Sequence, residues 1–273
     1  MAAKPFIKYK VLSEPEYSQQ TLGANSGTQI ETEQIKLVPF LLERDAPLLW
    51  EIAKNSTHLF RLMTFGPLET YEAFYKAKAK FCTLTDWSNW VCYVSAPTVD
   101  GNKNWVICGH VALVDISLLH RHFEVGGVWL HPSVHGTFVV VETTYALLRF
   151  SYEKLQAGRV VWKTHHRNMA SQKAAVKLGF QFEGIHRKHM VDSDGLWRNT
   201  YWYGMTDDEW FGREQETEDA RRGLDVVAAA AALLDQGEVE SKQQQKQLEE
   251  LIANRKKSGK PLPSSIDGKP LFD

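Results

Sequence analysis

Two stretches of the chain carry residue types at spacings that could do chemistry. The first runs Val128-Trp129-Leu130-His131-Pro132-Ser133-Val134-His135-Gly136-Thr137 and reads as a strand, a turn and the start of a helix. A helix N-terminus presents unpaired N–H groups and a partial positive charge. A glycine there lets an anion approach the backbone, so the junction suits a phosphate or pyrophosphate, while a plain tight turn is the other reading of a single glycine. The second stretch is Asn168-Met169-Ala170-Ser171, followed by Lys177-Leu178-Gly179-Phe180 and Glu183-Gly184. Asn168 and Ser171 are three apart and so neighbours on one helix face, and Asn168 also suits the cap of that helix. His165 and His166 are adjacent at a strand end and are expected to point different ways, which disfavours a metal site. The cysteines, Cys82, Cys92 and Cys108, are odd in number and none has a CxxC spacing. That argues against a disulfide scaffold and a structural zinc site, so no metal is expected.

Hydrophobic periodicity supplies the elements that must hold these stretches. Ile35 to Leu41 reads as a strand and Glu43 to Asn55 as a helix with Leu48, Leu49, Ile52 and Ala53 inward. A second helix is expected from Glu69 to Phe81. Trp90 to Ala96 and Trp105 to Ile116 form a hairpin around Asp100-Gly101-Asn102. Phe123 to Leu130 is a strand interrupted by Gly126-Gly127, which signals a bulge or a close backbone approach. A long helix from Thr137 to Gln156 uses Val140, Thr144, Leu147, Leu148 and Tyr152 on its apolar side. Val160 to Thr164 is a strand and Asn168 to Leu178 a helix. Phe180 to Val191 and Leu196 to Met205 make a hairpin about Asp192-Ser193-Asp194-Gly195. The aromatic run Trp197, Tyr201, Trp202 and Tyr203 is expected to be mostly core. The order βααβββ, αβα, ββ predicts an α/β fold with a mixed sheet and helices on its faces.

Composition bounds the rest. With 43% hydrophobic and 24% charged residues, the 273-residue chain has a globular balance. A net charge of -1 gives no support to a nucleic-acid partner. No stretch approaches the ~18 apolar residues of a membrane span, and Met1 to Tyr17 has no signal-peptide core. A cytoplasmic location without nucleic acid or membrane is the expectation. Residues 1–34 read as an N-terminal arm, 35–212 as the main domain, and 213–273 as a polar helical extension with a loose tail.

In combination, the motifs resemble the GNAT superfamily of acyl-CoA-dependent N-acyltransferases, and within it the RimJ/RimL-type group. The likeness covers roughly Ile35 to Trp210. It rests on Asn168-x-x-Ser171, Lys177-Leu178-Gly179-Phe180-x-x-Glu183-Gly184, Arg187, Asp194-Gly195, Arg198 and Asp208-Glu209-Trp210, in order. Glu124-Val125-Gly126 before Trp129 resembles the strand preceding the acyl-CoA loop, and Glu142 resembles that group's helix glutamate.

The resemblance implies acetyl-CoA as co-substrate and an N-acetyltransferase that acts by direct attack in a ternary complex. The acceptor would be a primary amine, either a small molecule or a protein α-amine. The bulged strand would splay from Val160 to Thr164, and the pantetheine arm would pair with main chain at Val128, Trp129 and Leu130. The pyrophosphate would lie on N–H groups of His135, Gly136, Thr137, Phe138 and Val139. Asn168 would bond the pantetheine arm, and Ser171 would lie near the sulfur. Neutralising the amine needs a base, for which Glu124 is the candidate, with pairing to Arg121 or another surface cation as its other reading. Ser171 is the candidate donor to the leaving thiolate. Phe138 stands where the family commonly has a small residue, so the alternative is a non-catalytic GNAT-like scaffold acting through its C-terminal helices. A homodimer is compatible with either.

Overall fold

The computed structural model describes residues 28–97, 103–212, 252–253, 265–266 and 269–270. The Asp100-Gly101-Asn102 turn, most of the N-terminal arm and nearly all of the 213–273 extension lie outside those residues.

The main body is an eight-stranded sheet. In chain order it contains β1 (Ile30–Glu31), β2 (Ile35–Pro39), α1 (Leu42–Ala53), α2 (Tyr71–Phe81), β3 (Ser88–Pro97), β4 (Lys103–Ser117) and β5 (His122–Leu130). Then follow α3 (Val139–Arg149), β6 (Arg159–His165), α4 (Met169–Lys177), β7 (Gln181–Val191), β8 (Trp197–Thr206) and α5 (Asp207–Phe211). The strands lie in the order β1-β2-β3-β4-β5-β6-β8-β7. Every pairing is antiparallel except β5 with β6. That fits the mixed α/β sheet expected from the element order.

Local chemistry accounts for the element ends. The Thr70 side chain accepts from Ala73 N and opens α2. Thr206 and Glu209 form a capping box at α5, which stops at Gly212 with φ 65°. Gly195, at φ 79°, turns the β7–β8 hairpin. Two expected faces differ in detail. Leu48 is exposed, and α1 instead buries Asp45 and Ala46 beside Leu49, Ile52 and Ala53. The carboxylate of Asp45 accepts from Leu41 N and from Arg44, which satisfies it in the core. The helix expected from Thr137 to Gln156 is α-helical only to Arg149 and ends as a π-turn over Phe150–Lys154. Of the aromatic run on β8 only Tyr203 is buried: Tyr201 and Trp202 are half-buried, and Trp197, at the hairpin end of the strand, is exposed.

Trp90, Trp210, Phe40, Phe60, Phe74 and Phe123 fill the core. Ile252 is buried with them, so part of the chain beyond residue 212 packs on the domain. Buried Glu142 of α3 ties the first strands down, accepting from the Thr32 hydroxyl (2.6 Å) and from Gln34 N (2.9 Å). Glu142→Ala is expected to cost about 1–3 kcal/mol, because both donors lose a buried partner. The urea midpoint should fall with little change in slope.

Candidate functional site

The pairing of β5 with β6 is confined to one end. His122, Phe123 and Glu124 pair with Arg159, Val160 and Val161, and the register stops there. On its other side β5 stays paired with β4, but Gly126 opposes Ala112 while Trp129 opposes His110. β5 thus carries an extra residue in this interval, a bulge. Gly127 takes φ 58°, a conformation that glycine adopts without penalty. His110 holds the bulge from beneath: fully buried, it donates from Nδ1 to the Gly127 carbonyl at 3.1 Å. Burial, together with the charge of Lys78, keeps its pKa well below the usual histidine range, so it is neutral.

A cavity of ≈ 210 Å³ occupies the opening between the strands. Glu124, Gly126, Gly127 and Val128 of β5 line it, with Trp162 and Lys163 of β6 and Asn168 and Ser171 at the start of α4. Strand alternation places these groups on two sides. Glu124 opposes Val161, so Glu124, Lys163 and His165 share one face, and Trp162 belongs to the other. There the Trp162 indole N–H donates to Ser171 Oγ at 2.9 Å. That bond leaves the serine's own hydrogen to point elsewhere. The Asn168 side chain accepts from Ser171 N at 3.1 Å, so it caps α4 while lining the cavity. Ser171 and Glu124 therefore face the same space from opposite faces of the sheet.

Glu124 is about nine-tenths buried. Its cation is Lys163, at 2.9 Å, and not Arg121, whose guanidinium turns away to the Leu155 carbonyl. Lys163 also bonds Asp115 and lies over the Trp202 ring. Burial pushes the Glu124 carboxyl up to about 7, against the pull of Lys163, and neighbouring Asp115 adds to the rise. Burial would likewise raise Asp115, but the bond to Lys163 and its charge hold it below its ordinary value. Burial disfavours the Lys163 ammonium, yet the two carboxylates keep its pKa above normal. The cluster thus contains a carboxyl that exchanges its proton near neutrality, beside a permanent cation.

The loop before α3 lies outside the lining of this cavity. His135 and Gly136 are exposed, whereas Thr137, Phe138 and Val139 are buried. The Phe138 ring packs into the core, so the residue that departs from the family pattern points away from the loop surface. Gly136 has φ 77° and open space where a Cβ would lie. His135 Nε2 donates back to the Leu130 carbonyl at 2.8 Å and ties the loop to β5. Some of the N–H groups are engaged within the chain: His135 N with Pro132 O, Thr137 N with Val134 O, and Val139 N with Thr137 Oγ1. Trp129 and Leu130 pair with His110 and Gly109, and Trp129 stacks on Phe60.

The His165 and His166 rings do not diverge as strand alternation would place them. They stack at 4.4 Å, because the chain leaves the strand at His165 and turns. His165 is held by Asp192 at 2.7 Å, and the His166 ring by the Asn199 carbonyl. Among the described residues no group of three or more His, Cys, Asp or Glu could hold a metal ion. None of their helices is long and apolar enough to cross a membrane. Lys163, Asp115, Trp162 and His110 were not singled out from the sequence. Lys163 was the one within reach of sequence reasoning, as a charged residue inside a β-branched strand.

The acetyltransferase (GNAT) domain family matches residues 34–181, more than half of the chain, and the protein belongs to that family. A probable acetyltransferase of the GNAT family from Chromobacterium violaceum ATCC 12472 is similar in structure, at TM-score 0.63 and 25% identity, over 76% of this chain and 99% of that one. The Mycobacterium smegmatis RimJ structure, solved in complex with CoA-disulfide, shares the fold at TM-score 0.54 and 17% identity, over 75% of this chain and 95% of that one. Among curated proteins, the uncharacterized N-acetyltransferase YnaD of Bacillus subtilis (strain 168) is 22% identical over 104 residues, 38% of this chain. The chain spans 59% of that relative's length.

Proposed function

We propose that the protein is an N-acetyltransferase of RimJ/RimL type, moving an acetyl group from acetyl-CoA to a primary amine by direct attack. The observation that carries this reading is one cavity through the sheet with Ser171 on one face and Glu124 on the other. Bound acetyl-CoA brings a thioester. The splayed edge of β5 at Val128 suits the pantetheine arm, which needs main-chain partners in an extended conformation. The exposed Gly136 at a helix start without a side-chain cap suits the pyrophosphate. Acetyl-CoA is a co-substrate in this scheme, and no metal has a part.

The acceptor, a small-molecule amine or a protein N-terminus, reaches the opposite face. Glu124 takes a proton from the ammonium, and a carboxyl titrating near 7 is matched to that task. The neutral nitrogen attacks the thioester carbonyl carbon; as C–N forms and C–S breaks, the electron pair leaves on sulfur and the second nitrogen proton passes to it, giving the amide and the CoA thiol. The thiolate leaves toward Ser171, and the bond from Trp162 to the serine oxygen supports this, since it leaves the hydroxyl hydrogen free for the sulfur. A main-chain N–H of the bulge would meet the developing oxyanion. No covalent enzyme intermediate is needed. A reducing cytoplasm fits this chemistry and the free thiols of Cys82, Cys92 and Cys108.

The test is free-thiol release from acetyl-CoA across a panel of amines and peptides, with calorimetry for acetyl-CoA binding. Turnover on at least one amine is expected, and no heat of binding at millimolar acetyl-CoA would sink the reading. Ser171→Ala should lower kcat roughly tenfold or more, by removing the hydrogen bond to the leaving group. Acetyl-CoA affinity should change far less. An unchanged kcat would take Ser171 out of the scheme.

A further inference from the structure

Arg198 is an arginine buried inside the site with no carboxylate bonded to its guanidinium among the described residues. Only 7% of its surface is exposed, and it lines the same cavity as Glu124 and Ser171. Its Nε donates to Thr200 Oγ1 at 3.1 Å. The Thr200 hydroxyl is in turn 3.0 Å from Nδ1 of His189, which burial keeps below the usual histidine pKa and so neutral. Among the described residues Arg198 makes no ion pair. Asp192 and Glu124 act on it as charges from a distance, but the Asp192 carboxylate is bound to His165 and Arg167, and that of Glu124 to Lys163. The cavity's other cation, Lys163, has two carboxylates of its own.

A buried guanidinium normally has a carboxylate or phosphate in its fork. The face on which Arg198 lies identifies the missing anion's source. Thr200 opposes His165 and Trp202 opposes Lys163, so Arg198, two residues from Thr200, shares the face of Glu124 and Lys163. That is the acceptor side, away from Ser171. Resting on the acetyltransferase reading above, we propose that the acceptor amine carries a carboxylate a short distance from its nitrogen, and that Arg198 receives that carboxylate while Glu124 receives the ammonium. An amino acid supplies this pair of charges, as does a peptide whose first residues include Asp or Glu. The chemistry at Arg198 is the same in both.

The experiment compares matched acceptors. One arm sets glycine, β-alanine and L-leucine against their carboxamides. The other sets peptides starting Ala-Asp and Ala-Glu against Ala-Asn and Ala-Gln. The proposal expects kcat/KM to favour the acid over its matched amide roughly tenfold or more in at least one arm, mostly through KM, as a charge-assisted bond in a buried site should. The arm that shows the preference names the source. In Arg198→Gln the acid-to-amide ratio should collapse toward one, and Arg198→Lys should restore part of it. Calorimetry of the same pairs on the CoA-bound protein reads the preference without turnover. Turnover with acids and amides used equally, and no difference in binding, overturns the proposal and leaves the acetyltransferase reading standing. No thiol release with any amine defeats that reading instead, and the binding comparison still decides the role of Arg198.

Discussion

Glu124→Gln is expected to lower kcat by roughly 10²–10⁴-fold, the range that a positioned general base contributes. The amide is close in shape and can still meet Lys163 through its oxygen, so the cavity should keep its form. Acetyl-CoA affinity should change little, because Glu124 lies on the other face of the sheet from Ser171. The sign of the pH dependence follows from the protonation state required. Only ionised Glu124 can take a proton, and burial places its pKa at about 7. The rate should therefore climb with pH through about 7 and level off above it, and Glu124→Gln should lose that limb. Lys163 pulls the pKa of Glu124 down, so Lys163→Met should move the limb to higher pH. Stopped-flow or steady-state thiol release from pH 5.5 to 9 checks all three. A rate unaffected by Glu124→Gln would remove the residue from the base role.

Gly109→Ala should damage both the fold and binding of the co-substrate. Gly109 pairs with Leu130 where β4 runs beside the upper half of β5. A Cβ there would lie 2.2 Å from the Trp129 carbonyl oxygen and 2.9 Å from Leu130 Cα. Both are backbone atoms, so a rotamer change cannot relieve the contact. Overpacking of this kind typically costs 1–3 kcal/mol, and a backbone clash belongs at the upper end, about 3 kcal/mol. The relief available is a shift of Trp129 and Leu130 into the opening beside β6. A fall in Tm of several degrees is expected, with acetyl-CoA binding weakened tenfold or more by calorimetry. Wild-type Tm and affinity in this variant would mean that the upper half of β5 is not held in place by β4.

The elements of this fold were largely written in local pattern. Periodicity and turn residues located most strands and helices to within a residue or two, because caps such as Thr70 act over a few positions; the helix after Thr137 ends as a π-turn instead, and β1 and α5 are too short to show a period. The Gly126-Gly127 pair signals a bulge or a close backbone approach, and the strand carries the bulge there. The sequence was less informative where pairing across the sheet decides. That Glu124 faces Lys163 depends on a parallel register between strands joined by a helix, and the nearer Arg121 was the more obvious partner. That Ser171 meets Trp162 depends on how α4 returns across β6. His110 is a lone histidine in an apolar strand, and nothing local marks it as the residue that pins Gly127. His165 and His166 were expected to diverge, and the turn that stacks them starts one residue too early for strand alternation to apply.

The opening between β5 and β6 makes the sheet a wall with a window. In the proposed scheme each reactant would approach from its own side, and bond exchange would take place in the frame. Neither would have to leave before the other arrives. A compound that joins an amine to the CoA sulfur through a short linker would occupy both sides at once. It could not slip out sideways through the paired strands below Glu124. Such a threaded molecule should dissociate far more slowly than either half alone.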